Sequence, residues 1–140
     1  MIKITKERSV SINDILHLYQ AVGWTNYTNQ PQMLEKALSH SLATYLARDD
    51  EEIVGLVRLV GDGFSSIFVQ DLIVLPSYQR QGIGSNLMKE ALADYKDAYQ
   101  IQLATEQTEK NLGFYRSLGF ETLSTYDCTG MIWVDRKKFK

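Results

Sequence analysis

The feature that most constrains the fold is an apolar run followed by a polar loop and two closely spaced glycines. Residues 66–75 are apolar on both alternating sets of side chains, and Pro76 follows the run directly. Gly82 and Gly84 then stand where a stretch of helical periodicity, about residues 81–95, begins. A strand that is apolar on both sides is typical of a sheet covered on both faces. The pattern therefore predicts a layered structure in which a loop and a helix start follow a central strand.

Apolar periodicity in the rest of the chain predicts the order β-α-α-β-β-β-α-β-α-β-β. The strands are expected at residues 2–4, 44–48, 53–60, 66–75, 100–104, 120–125 and 130–135, and the helices at 11–22, after Pro31, at 81–95 and at 108–118. An acidic turn (Asp49–Glu52) and a glycine turn (Gly61–Gly63) separate three consecutive strands, which indicates an antiparallel meander. The predicted fold class is α/β, with a mixed α+β sheet that carries helices on both faces.

Composition excludes several classes of protein. A length of 140 residues suits a single domain spanning 1–140, and 15 basic against 17 acidic residues give no general attraction to nucleic acid or an anionic membrane. The single cysteine, Cys128, excludes a disulfide framework, and no Cys/His cluster has the spacing of a metal site. No apolar stretch approaches the ~20 residues of a membrane-spanning helix, and the first residues do not resemble a signal peptide. We therefore expect a soluble cytoplasmic protein.

The glycine loop is a candidate anion site. Free backbone N–H groups at a helix N-terminus attract anions, and the side chain of Arg80 adds a positive charge. A dinucleotide fingerprint would need a third glycine where Leu87 stands, and a nucleoside-triphosphate loop would need Lys after Gly84, where Ser85 stands. Both are excluded. What remains is a phosphate site of another type or a glycine-rich helix entry that binds nothing.

Two motifs together resemble the GNAT superfamily of N-acetyltransferases. The segment Gln79-x-x-Gly82-x-Gly84 is similar to the family's Q/R-x-x-G-x-G/A signature, which binds the pyrophosphate of acetyl-CoA. The segment NLGFYRSLGF, from Asn111 to Phe120, is similar to N-x-x-x-Y-x-x-x-G-F. The order of elements over the whole chain agrees with both. The resemblance implies the GNAT-like acyl-CoA N-acyltransferase fold, acetyl-CoA as co-substrate, no metal, and direct acetyl transfer to an amine.

The resemblance also implies where the coenzyme binds. The backbone of residues 72–74 would pair with the pantetheine arm, where this strand separates from the strand at 100–104. The backbone amides of residues 79–85 would hold the pyrophosphate. The expected coenzyme-binding residues are Leu72, Ile73, Val74, Gln79, Arg80, Gln81, Gly82, Ile83, Gly84, Ser85 and Asn111.

Tyr115 and Asp71 are the candidate catalytic residues. Tyr115 matches the family tyrosine that protonates the departing thiolate, and its alternative role is that of an aromatic packed on its own helix. Asp71 lies between Val69 and Ile73 on an apolar strand, where a carboxylate is costly unless it faces a cleft. It is either a general base, an attraction for a cationic acceptor, or a carboxylate hydrogen-bonded to a neighbouring loop. A water chain without a side-chain base also remains open.

Trp24 and Tyr27 are predicted to line the acceptor side. Both lie between the first two predicted helices, where exposed aromatic residues suggest a substrate lip, unless Trp24 only pins the loop to the core. The predicted acceptor is a primary amine of a small molecule, such as an amino acid or polyamine. The alternative function is a coenzyme-A-binding regulatory or partner-binding module on the same fold without significant turnover. Exposed sheet edges make a homodimer plausible.

Overall fold

A computed structural model describes residues 1–135 of the chain. These residues fall into two compact units, Met1–Ala104 and a second that begins at Thr105. The first unit contains β1 (Ile2–Glu7), α1 (Ile12–Ala21), α2 (Thr25–Thr28), α3 (Pro31–Ser39), β2 (Ala43–Asp49), β3 (Glu52–Gly61), β4 (Ser66–Val74), α4 (Ile83–Asp94) and β5 (Gln100–Leu103). The second contains α5 (Glu109–Ser117) and a 3₁₀ turn (Leu123–Tyr126). The single domain of residues 1–140 stays a prediction.

The sheet of the first unit has the order β1-β2-β3-β4-β5. Strands β1 to β4 are antiparallel neighbours, whereas β5 pairs with β4 in parallel. The predicted meander is thereby confirmed. The prediction that residues 66–75 form a strand buried on both faces is wrong. The strand buried on both faces is instead β3, the middle strand of the sheet. Strand β4 buries one face, and most side chains on its other face are partly or fully exposed.

Helices cover the two faces of this sheet. Side chains of α1 and α3 pack with Leu46, Leu56 and Ile73 in one hydrophobic core. On the opposite face α4 lies close to β3, because Gly55 has no side chain there. A Cβ atom at this position would lie 3.1 Å from Cδ1 of Leu87. The predicted arrangement of helices on both faces is present within the first unit.

Local sequence signals explain where the first helices begin and end. The Ser11 hydroxyl accepts a hydrogen bond from the backbone N–H of Asn13 and caps α1. Gly23, with φ of 72°, adopts the left-handed conformation just after α1. Pro31 is the first residue of α3. Both predicted helices are confirmed, and the segment between them contains the additional short helix α2.

The last two predicted strands are wrong. Residues 123–126 form a 3₁₀ turn, in which the backbone N–H of Thr125 donates to the carbonyl of Thr122 and cannot also join a ladder. Residues 130–135 adopt no regular structure. Met131 and Trp133 are 94% and 80% exposed, and the intervening Ile132 is exposed as well. The apolar segment therefore has no buried face that would select strand pairing.

Replacing Gly61 with alanine should destabilise the protein. Gly61 has φ of 133°, and a Cβ atom there would overlap the backbone carbonyl of Ser66. We expect a loss of about 3 kcal/mol in the free energy of unfolding, measured by urea denaturation. The matched control is Gly23→Ala, which has a positive φ of 72° but open space around the new atom, and should lose only about 1 kcal/mol. Equal losses in the two variants would contradict the prediction.

Candidate active site

Strand β4 has a free edge over its second half. Its pairing with β5 runs from Ser66 to Val69, opposite Gln100 to Leu103, and no residue of β5 pairs with β4 beyond this point in the described chain. The backbone N–H of Leu75 donates to the carbonyl of Val54 on the other side, at 2.9 Å. Because an antiparallel ladder alternates, Leu72 and Val74 direct their N–H and C=O groups away from β3. Regular pairing between β4 and β5 therefore ends before Leu72, where the pantetheine arm is expected.

A β-bulge lies immediately before this free edge. Arg58 of β3 faces Asp71, but the next residue, Leu59, faces Val69, so that Gln70 is an extra residue on β4. The side chain of Gln70 is exposed. Bulges re-aim side chains and end regular pairing, and they are frequent beside active sites. The bulge thus marks the point where β4 changes from a paired strand to one with a free edge.

The loop after β4 is anchored by the side chains of two adjacent residues, Tyr78 and Gln79. The side-chain amide of Gln79 donates to the carbonyl of Val74 at 3.1 Å. The hydroxyl of Tyr78 donates to Oδ2 of Asp49 at 2.8 Å, on the hairpin between β2 and β3. This hydrogen bond raises the pKa of Tyr78 to about 12. Sequence reasoning missed Tyr78, since a tyrosine in a polar loop does not reveal a carboxylate partner distant in the chain.

The N-terminus of α4 has the geometry of an anion site. Gly82 precedes the helix with φ of 80°, and no side chain caps it. Arg80 is also left-handed, with φ of 65°, and backbone that changes hand between neighbouring residues gathers N–H groups into a concavity. The first N–H groups of a helix have no partner inside it, which applies here to Ile83, Gly84 and Ser85. No acidic residue lies in the first turn to repel an anion.

Asp71 lies in a buried polar cluster with Arg58, Tyr19 and Tyr27. Asp71 and Arg58 are 2% and 3% exposed. Its Oδ2 atom accepts hydrogen bonds from Nε of Arg58 and from the hydroxyl of Tyr19, each at 2.8 Å, and its Oδ1 accepts one from the hydroxyl of Tyr27 at 3.0 Å. These contacts support the alternative in which Asp71 is a hydrogen-bonded structural carboxylate. Its role as a general base stays a prediction.

The net effect of burial and neighbouring charges is a raised pKa for three members of this polar cluster, Tyr19, Tyr27 and Arg58. Burial, followed by the charge of Asp71, raises the pKa of the Tyr19 and Tyr27 hydroxyl groups, so both remain hydrogen-bond donors at neutral pH. Burial alone would lower the pKa of the Arg58 guanidinium, but the carboxylate of Asp71 raises it above its ordinary value. The paired charges cancel, which is how a charge is tolerated in the core.

Trp24, just before α2, and Tyr27, within α2, are less exposed than predicted. Tyr27 is buried and Trp24 is half-buried, and their rings lie 5.0 and 6.0 Å from the ring of Tyr19. The expectation of an exposed Tyr27 is wrong, because its hydroxyl reaches the carboxylate of Asp71. Sequence reasoning also missed Arg58. Two consecutive apolar runs each contain one charged residue, Arg58 in one and Asp71 in the other, and the two charges are opposite. This pattern could have revealed the pair.

The second unit contains Asn111 and Tyr115. Thr108 caps α5 through its hydroxyl, which accepts from the backbone N–H of Asn111, and the Asn111 side chain donates to the carbonyl of Glu106 at 3.3 Å. The ring of Tyr115 packs on Phe114 and Phe120, with centroids 5.0 and 6.0 Å apart. Burial raises the pKa of its hydroxyl. No described residue forms a hydrogen bond with that hydroxyl.

Among residues 1–135, no three His, Cys, Asp or Glu side chains are grouped so that they could hold a metal ion. None of the helices within the same range is long and apolar enough to span a bilayer.

The free strand edge followed by an uncapped glycine-rich helix start is the arrangement expected of a GNAT domain. The family model described as acetyltransferase (GNAT) domain matches residues 40–122. The chain belongs to the GNAT superfamily of acetyltransferases. A solved structure of a GNAT family acetyltransferase from Streptococcus pneumoniae TIGR4 is 73% identical, covers 97% of this chain and 99% of its own, and superposes with a TM-score of 0.90.

More distant relatives have recorded activities or ligands. Serotonin N-acetyltransferase 2, chloroplastic, from Oryza sativa subsp. japonica is 33% identical over 65% of this chain, and the match spans 48% of the rice protein, about half its length. A GNAT family acetyltransferase from Elizabethkingia anophelis, solved with acetyl-CoA bound, is 21% identical, covers 86% of this chain and 76% of its own, and has a TM-score of 0.63. The similarity to the Elizabethkingia anophelis protein shows a shared fold only.

Breaking the buried ion pair should cost more than removing it. Arg58→Met alone leaves the carboxylate of Asp71 buried without its cationic partner, and we expect a loss of about 3–5 kcal/mol in the free energy of unfolding. Arg58→Met combined with Asp71→Leu removes both charges, and most of that loss should be recovered. Urea unfolding of the two variants measures the difference. A double variant less stable than the single one would contradict the charge argument.

Proposed function

We propose that this chain is an acetyl-CoA-dependent N-acetyltransferase that transfers the acetyl group directly to a primary amine of a small molecule. The single observation that carries the proposal is the free edge of β4 leading, through an anchored loop, to the uncapped N-terminus of α4. An extended arm with amide groups fits the former, and a pyrophosphate fits the latter. Both features lie within the first unit.

The residues present suit the coenzyme. The N–H and C=O groups of Leu72 and Val74 are the proposed partners of the pantetheine amides, with the Val74 carbonyl already held by Gln79. The amides of residues 79–85 are the proposed pyrophosphate ligands, and Arg80 adds a positive charge. Asn111 is proposed as a further contact because it matches the family motif. Backbone N–H groups directed at an anion need no reorganisation when it binds.

The chemistry asks little of the protein beyond position. A neutral amine attacks the thioester carbonyl, the carbon–sulfur bond breaks, and the departing thiolate takes up a proton. Tyr115 is the proposed donor, because burial raises its pKa and keeps the phenol protonated until the thiolate forms. Water or Asp71 is the proposed acceptor of the amine proton. The hydrogen bonds around Asp71 favour water, since three donors already hold its oxygen atoms.

Replacing Gly82 should weaken coenzyme binding without a matching loss of stability. Gly82→Ala places a Cβ atom where the phosphate is proposed to lie, and it strains a residue with φ of 80°. We expect a rise of about tenfold in the Kd for coenzyme A, equal to about 1.4 kcal/mol, measured by isothermal titration calorimetry. Gly23→Ala, with a similar φ of 72° and open space, serves as the strain control and should leave this Kd unchanged. Equal affinities of the two variants would overturn the phosphate assignment.

Acetyl transfer can be tested by thiol release from acetyl-CoA across a panel of amines. The panel contains spermidine, lysine and, prompted by the name of the rice relative, serotonin. We expect at least one amine to accelerate thiol release, and Tyr115→Phe to lower kcat by about 10²-fold with little change in the Kd for coenzyme A. Unchanged kcat in Tyr115→Phe would remove the proton-donor assignment.

The second candidate is a coenzyme-A-binding regulatory or partner-binding module. The buried hydrogen bonds of Asp71, which leave no evident side-chain base, are the observation that favours it. Tight coenzyme binding without thiol release for any amine of the panel would support this function over catalysis. The cytoplasmic location and the homodimer remain part of the proposal, and size-exclusion chromatography with light scattering tests the latter.

A further inference from the structure

The hydroxyl group of Tyr27 is shared by three neighbours. It donates to Oδ1 of Asp71 at 3.0 Å and accepts hydrogen bonds from Nη2 of Arg58 at 3.2 Å and from the side-chain amide of Gln70 at 3.4 Å. A hydroxyl can donate one hydrogen bond and accept two, so its capacity is fully used. The hydroxyl oxygen of Tyr27 therefore connects α2 to β3 and to the bulge of β4.

The rest of the polar cluster is equally saturated. Nη1 of Arg58 donates to the hydroxyl of Ser41 at 3.2 Å, and Tyr19 holds the second contact of Asp71 Oδ2. Within the described residues, no buried side-chain nitrogen or oxygen lacks a partner. Apolar residues of similar volume would fill such a site with equal or greater stability, so the cluster's distinctive contribution is a defined geometry.

The position of the polar cluster indicates what that geometry serves. It joins α1, α2, β3 and β4, and its contact on β4 is one residue before the free edge that begins at Leu72. Two partly or fully exposed side chains extend from it. Trp24 is half-buried against Tyr19, and Gln70 is exposed.

We propose that the polar cluster of Tyr19, Tyr27, Arg58 and Asp71 is a positioning device, and that it holds Trp24 and Gln70 against the acceptor amine. The inference rests on the proposed acetyltransferase function and adds to it the residues that select the acceptor. One N–H of the Gln70 amide is used by Tyr27. Its carbonyl oxygen, which has no partner among the described residues, is available to an amine N–H.

This arrangement favours one class of acceptor. The exposed part of the Trp24 indole offers an apolar and aromatic surface, while the carbonyl of Gln70 offers a neutral hydrogen-bond acceptor. A primary amine carried on an aromatic or apolar group satisfies both. The charge of Asp71 is paired with that of Arg58 inside the core, so it offers the acceptor no uncompensated negative charge.

Tyr27→Phe tests the positioning role. It removes the shared hydroxyl and keeps the ring. Tyr45→Phe is the matched control, because Tyr45 is also buried and its hydroxyl donates to a carboxylate, that of Asp94, at 2.6 Å. With the best amine of the panel, we expect Tyr27→Phe to raise the acceptor KM about tenfold while the acetyl-CoA KM stays within about twofold. Equal acceptor KM values in the two variants would overturn the inference.

A second measurement does not depend on turnover. In a Trp133→Phe background, Trp24 is the single tryptophan of the chain, and acrylamide quenching reports its accessibility. Tyr27→Phe should increase the quenching constant about twofold, and Tyr45→Phe should not. If no amine is acetylated by the wild-type protein, the proposed function fails, whereas the quenching result still decides whether the polar cluster positions Trp24.

Gln70→Ala tests the direct contact with the acceptor. We expect the acceptor KM to rise about fivefold, with unchanged Trp24 quenching and an unchanged Kd for coenzyme A. Gln32→Ala, an exposed glutamine on α3, is the control and should alter none of these values. A Gln70→Ala variant with the wild-type acceptor KM would remove Gln70 from the acceptor site.

Discussion

The ion pair between Arg58 and Asp71 is the interaction on which the organisation of the first unit depends. It lies between two central strands, and its Nε to Oδ2 distance is 2.8 Å. A charge in this position can be tolerated only if every polar atom around it is satisfied, and Tyr19, Tyr27 and Ser41 provide the remaining contacts. The hydrogen bonds to this pair therefore fix the positions of α1 and α2 relative to β3 and β4.

The same strands also create the free edge that we propose for the coenzyme. Parallel pairing with β5 stops at Val69, and the bulge at Gln70 follows. Among residues 1–135, β4 keeps only its antiparallel partner from there to the loop that leads into α4, and its other edge has no strand partner. A paired strand could not accept an extended arm, and a side-chain-capped helix would compete with an anion. The proposed binding site thus consists of hydrogen-bonding groups that the fold leaves unpaired.

Much of the fold could be predicted from local patterns. Ser11, Gly23 and Pro31 mark helix boundaries through their own backbone preferences, and the acidic turn after Asp49 separates two antiparallel strands in the structure. The absence of the last two predicted strands could not be recognised from local patterns. Their apolar alternation fits a strand, but pairing needs a neighbouring edge, and Thr122 supports a local 3₁₀ turn instead. Burial of β3 rather than β4 likewise depends on the order of strands in the sheet.

By itself, the sequence determined the glycine loop, the apolar runs and the two motifs that identify the superfamily, because these depend on residues close together in the chain. Only the tertiary structure decided the burial and the hydrogen-bond partners of its polar residues. From the sequence, Asp71 could be a general base, an attraction for a cationic acceptor or a hydrogen-bonded carboxylate, and only the fold shows that its partners come from α1, α2 and β3, up to 52 residues away. The sequence predicted Tyr27 to be an exposed aromatic residue, but it is buried with its hydroxyl on the carboxylate of Asp71. A carboxylate buried in the core is defined by the donors that the fold brings to it.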